Sequence, residues 1–121
     1  MNKVTLYAGD GHVVKVIESD DAYIGSHMSV IKFADGSSML TNLATVIESE
    51  APDPGPLGGV PGDTRGPQEA SLVLLSNGGS AIRSWSGLTR ITYEGAACGF
   101  YHEGKKVWVS GPLVVTWNKK K

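Results

Sequence analysis

Apolar and polar residues alternate along this chain in short runs separated by glycine-rich turns. Residues 4–8 (VTLYA) and 12–17 (HVVKVI) are rich in β-branched and aromatic side chains and flank Gly9-Asp10-Gly11, which predicts a hairpin whose glycines supply positive φ. Residues 28–34, the turn Asp35-Gly36 and the run from Ser37 repeat that layout. Further along, Asn77-Gly78 separates the apolar run 72–75 from 81–85, a strong short-range hairpin signal. The segment LTRITYE (88–94) alternates Leu88, Arg90, Thr92 and Glu94 with Thr89, Ile91 and Tyr93, as a half-buried strand does. Residues 100–109 fold over His102-Glu103-Gly104-Lys105, and 113–117 place Leu113, Val115 and Trp117 on one side. The pattern predicts an all-β protein, a small sandwich or barrel of about eight or nine short strands built from hairpins.

Two signals compete in residues 37–50. Leu40, Leu43, Ala44 and Ile47 follow the i, i+3, i+4, i+7 spacing of a short helix that Ser37 or Ser38 would cap and Pro52 would stop. Thr41, Thr45, Val46 and Ile47 favour strand. The same region holds the second of two Val-Ile-Glu-Ser stretches, 16–19 and 46–49. With the two glycine turns they suggest that residues 3–21 and 29–50 are copies of one hairpin. Each Val-Ile then ends a core strand, and the acids after it leave for solvent.

A length of 121 residues fits one domain, 1–121. Sixteen glycines are about double the usual share of ~7%, so the chain turns often and has few long helices. Five prolines and five glycines fall within 50–70 (EAPDPGPLGGVPGDTRGPQEA), which excludes a regular ladder and marks a protruding loop. Loops of this length are usually functional or disordered. Pro54, Leu57, Val60 and Arg65 are its candidate partner anchors, because proline limits the entropy lost on ordering. The single cysteine permits no internal disulfide. No apolar run approaches signal-peptide length near the N-terminus or the ~20 residues of a membrane helix elsewhere. The expected product is a soluble protein made in the cytosol, with no membrane partner.

The formal net charge of −1 conceals a split. Residues 1–53 carry eight acids against three lysines, a net of −5, whereas 54–121 carry four acids against eight bases, a net of +4. The halves are electrostatic complements, and Asp20 and Asp21 are the candidate contact residues of the acidic one. The terminal run Lys119-Lys120-Lys121 reads as a solvated end more than a nucleic-acid contact, since the chain without it is net −4.

No set of residues assembles into a catalytic or metal site. Cys98 and His102, if extended, lie about 13 Å apart, and the remaining histidines and acids lack ligand spacing. Nucleophile elbow, phosphate-binding loop and dinucleotide fingerprint are absent. The best ligand candidate is SNGGSAIRSWSG, 76–87. Its glycine-rich backbone and Ser80 offer an anion amides and a hydroxyl, Arg83 a charge partner, and Trp85 a stacking surface for a base. The hairpin alone explains Asn77, Gly78 and Gly79. No cofactor is implied.

These readings favour a non-enzymatic structural or assembly protein, a small β module that joins a larger complex or self-associates into a homo-oligomer. The alternative is a binding module or inhibitor that sequesters a protein or a small anionic or nucleotide ligand. In size, glycine-rich turns and absence of catalytic motifs, though in no motif of its own, the chain resembles the small all-β decoration, connector and tail proteins of bacteriophage particles. That likeness implies incorporation into a virion or other large particle.

Overall fold

A computed structural model describes residues 2–25, 27–51, 68–88, 91–95 and 97–119. The described residues form twelve strands and no helix: β1 (Asn2–Tyr7), β2 (Val13–Ser19), β3 (Asp21–Ile24), β4 (Ser29–Lys32), β5 (Ser38–Thr41), β6 (Ala44–Glu50), β7 (Gln68–Leu75), β8 (Ala81–Leu88), β9 (Ile91–Glu94), β10 (Ala97–His102), β11 (Lys105–Ser110) and β12 (Leu113–Lys119). They make an antiparallel six-stranded sheet in the order β2-β1-β6-β11-β10-β9, and two antiparallel three-stranded sheets, β12-β7-β8 and β3-β4-β5.

Strand alternation places the small sheets on opposite faces of the large one. In β6, Val46 joins the apolar cluster built with Leu72, Leu74 and Trp85, while its neighbour Ile47 joins the cluster built with Ile31 and Ile24. In β11, Val107 and Val109 point to the first cluster and Trp108 to the second. Successive residues of a strand face opposite ways, so β12-β7-β8 covers one face and β3-β4-β5 the other, in three layers. At one corner the chain changes layer without a loop. Ser19 Oγ accepts the Asp21 N–H at 3.1 Å and donates to the Lys32 carbonyl, and that stitch turns β2 into β3.

The helix-like spacing in 37–50 belongs to two strands. Leu40 faces solvent, Leu43 the core, and Ile47 lies on the strand after the turn. Threonines staple that turn: the Leu43 N–H donates to Thr41 Oγ1 at 3.1 Å, and Thr45 Oγ1 donates to the Leu43 carbonyl at 2.8 Å. The β-branched residues decided the outcome against the spacing. Dividing this segment and adding the short β3 accounts for most of the excess over eight or nine strands.

The twelve strands are one six-stranded unit built twice. Adding six to each label of the first half gives its counterpart: β2-β1-β6 becomes β8-β7-β12, and the meander β3-β4-β5 becomes β9-β10-β11. The registers agree. Val4 lies between Ile17 and Ile47, and Leu72 lies between Trp85 and Val115. Ile31 lies between Ala22 and Met39, and Phe100 between Ile91 and Val107. Both units carry the same bulge: Tyr7 opposes Val13 while Leu6 opposes Lys15, and Leu75 opposes Ala81 while Leu74 opposes Arg83. Their first turns close with the same bonds, Ala8 N–H to His12 O at 2.8 Å and Gly11 N–H to Ala8 O at 2.9 Å, against Ser76 N–H to Ser80 O at 2.8 Å and Gly79 N–H to Ser76 O at 3.0 Å. The units join side by side, β6 against β11, which builds the central sheet and offsets the second unit by one layer.

This architecture explains the repeated Val-Ile-Glu-Ser differently from a duplicated hairpin. The two stretches flank β1 in one register, with Val16 and Val46 opposite Thr5, Ile17 and Ile47 opposite Val4, and Glu18 and Glu48 opposite Lys3. Their surroundings differ on the outward face. Val16 and Glu18 are exposed, whereas Val46 and Glu48 are buried beneath β12-β7-β8. The acid after the second Val-Ile is therefore interior.

Candidate assembly surface

Among the described residues six strands are sheet edges: β2 and β9 in the large sheet, β12 and β8 in one small sheet, and β3 and β5 in the other. An edge presents unpaired backbone N–H and C=O groups, a template for another strand. Among the described residues, seven of the eight exposed large apolar side chains stand on these edges: Val13, Val14 and Val16 on β2, Tyr23 on β3, Leu40 on β5, Tyr93 on β9 and Val114 on β12. Scattered apolar exposure is normal on a protein surface. Concentration on unpaired edges is not scatter.

The internal joint shows how this chain buries such an edge. Ile47 opposes Trp108, Val46 opposes Val109, and Lys105 opposes Glu50. Trp108 lies over Gly99, where a Cβ would approach its ring to 2.6 Å, so the large side chain needs the glycine opposite it. Above the joint, Arg83 reaches from β8 to Glu48, with Nη1–Oε1 at 3.2 Å and Nη2–Oε2 at 3.3 Å, and Lys105 Nζ stands 4.0 Å from the same carboxylate. Burial opposes the charge on Arg83, but bonds to Glu48 and Tyr7 outweigh it and raise its pKa. The hairpin tips also meet, Asn77 N–H donating to the Gly9 carbonyl at 2.7 Å.

The residues proposed for an anion or nucleotide site fall within this framework. Arg83 is committed to Glu48, and its guanidinium lies 4.9 Å from the Trp85 ring centroid. Trp85 is 5% exposed and meets Phe100 edge-on, with ring centroids 5.2 Å apart. Ser80 is exposed, but its N–H donates to Ser76 Oγ within the turn. Asp21 pairs with Lys32 at 3.0 Å on the outer face of β3-β4-β5, and Asp20 is exposed beside it. Pro54, Leu57, Val60 and Arg65 lie outside the described residues. Cys98 is half-buried, and that burial pushes its thiol pKa up. No group of three or more His, Cys, Asp or Glu able to hold a metal occurs among the described residues.

Sequence reasoning located turns, core strands and acids and expected sheet edges to take part, but not which strands are the edges, because an edge is defined by which strands pair. Compared with known proteins, the chain matches no family, no curated protein and no solved structure.

Proposed function

We propose that this chain is a non-enzymatic assembly protein that joins a larger protein complex through its sheet edges, a role of the kind served by decoration, connector or tail components of a virion-like particle. The observation that carries this reading is the placement of exposed apolar side chains on strands whose outer backbone pairs with no other strand among the described residues. Edge pairing supplies directional hydrogen bonds, and alternate side chains supply apolar area, as in other strand-addition contacts. Asp20 and Asp21 in the acidic half and the anchors Pro54, Leu57, Val60 and Arg65 complete the proposed contact. Exposed ion pairs contribute only about 0–1 kcal/mol each, so charge steers encounter while apolar area holds the complex.

Light scattering across a dilution series tests the reading. The expected mass exceeds the monomer and rises with concentration. Raising salt from about 0.05 to 0.5 M shortens the screening length severalfold, so association should slow and weaken moderately without dissolving. A strict monomer up to millimolar concentration at low salt contradicts self-assembly.

A further inference from the structure

We propose that copies of this chain join head to tail, β12 of one pairing antiparallel with β5 of the next, so that the joint between molecules repeats the β6–β11 joint within one. The inference rests on the reading of the chain as an edge-assembling protein and names the partner and the edges.

The internal repeat carries the argument. Strand β12 is the counterpart of β6, and β11 is the counterpart of β5. Within the molecule β6 meets β11. The complementary pair, β12 and β5, are outer edges of sheets on opposite faces of the central sheet, so they cannot meet in one copy. A second copy supplied with the same step brings them together.

Side-chain exposure agrees position by position. Val46 is 0% exposed at the internal joint, and its counterpart Val114 on β12 is 50% exposed. Trp108 packs against the second core cluster, and its counterpart Leu40 on β5 is 65% exposed. Ile24 lines a cleft of about 290 Å³ with Trp108, and its counterpart Tyr93 on β9 is 83% exposed. In the repeated joint, Val114 goes under the sheets of the next copy, and Tyr93 comes against that copy's Leu40 as Ile24 comes against Trp108. Three of the eight exposed large apolar side chains among the described residues are thus what the internal joint leaves uncovered at its two ends.

Register and charge are compatible as well. Carrying over the pairing of Trp108 with Ile47 and of Val109 with Val46 sets Leu40 of the next copy opposite Val115 and its Thr41 opposite Val114. Its Ser37, Ser38 and Met39 then oppose Asn118, Trp117 and Thr116, which brings no like charges together. By the same register Gly36 of the next copy stands opposite position 119. Every joint sets a net +4 half against a net −5 half. The contact is heterologous, so its repetition closes into a ring or runs on as an open array, with each unit stepped by one layer of about 10 Å.

The test uses single cysteines in a Cys98→Ser background, a position whose counterpart is Ser29. Thr41→Cys and Val114→Cys are prepared separately, and each is incubated alone and mixed with the other under a short bis-maleimide, with light scattering on the same samples. The proposal predicts covalent dimers in the mixture and none in either variant alone, because T41C meets V114C and never itself. The double variant should give a ladder of covalent multimers. Oligomers by scattering without mixed dimers overturn this joint while leaving edge assembly standing. Monomer at every concentration with no cross-link overturns the joint and the self-assembly beneath it.

Discussion

Trp85→Ala lowers the stability of the fold by about 3–5 kcal/mol, the usual cost of truncating a large buried aromatic side chain. The ring is 5% exposed, opposes Leu72 across β7 and β8, and meets Phe100 edge-on. Its removal leaves a cavity at the centre of the first core cluster, which the close-packed strands around it cannot fill. A tryptophan held at the surface to stack on a ligand would behave otherwise, since surface substitutions usually stay within about 0.5 kcal/mol. Urea unfolding followed by circular dichroism reads the difference as a shift in midpoint. A loss under about 1 kcal/mol would return Trp85 to the list of candidate ligand contacts.

Arg83→Met costs about 2–3 kcal/mol, less than the 3–5 of a fully buried pair because the guanidinium keeps part of its water. Its side chain is 34% exposed and that of Glu48 only 9%. The asymmetry sets the direction. Losing Arg83 strands a buried carboxylate beside Lys105, 4.0 Å away and itself 44% exposed. Glu48→Gln is the milder change, because the amide stays in place and the arginine can turn toward solvent. Urea midpoints for the two variants should fall in that order. Equal, negligible losses would show that Arg83 is free to serve an anion instead.

Local chemistry was legible in the sequence; the relation between the halves was not. Gly9-Asp10-Gly11, Asn77-Gly78 and Glu103-Gly104 mark turns, though the positive φ falls at Gly11, Gly79, Glu103 and Gly104 and not at Gly9, Asn77 or Gly78. Of the alternation in 88–94, residues 91–94 became β9 while Leu88 ends β8 and 89–90 lie outside the described residues, and the apolar run 72–75 became part of β7. The repeat stayed hidden because the two units share a face and a register more than they share letters. Val4 stands where Leu72 does, Ile17 where Trp85 does, and Ile31 where Phe100 does. One extra residue in β8 and one fewer in the turn after β10 shift the spacing from 68 to 69 and back, so no fixed period survives. Val-Ile-Glu-Ser, the stretch that did repeat in letters, marks two strands that read the same neighbour, β1. The candidate ligand residues Arg83 and Trp85 share a face as strand alternation requires, but that face lies over Glu48 and Phe100. Which face a neighbouring layer covers is a tertiary fact that a single strand does not encode.

Amide hydrogen exchange, compared between dilute and concentrated protein, tests most directly whether free sheet edges are the contact surface. The account predicts that protection rises on β5 and β12 as the mass grows, while strands already paired on both sides, such as β1, β7 and β10, stay unchanged. Growth in mass with no added protection on any edge strand would contradict it.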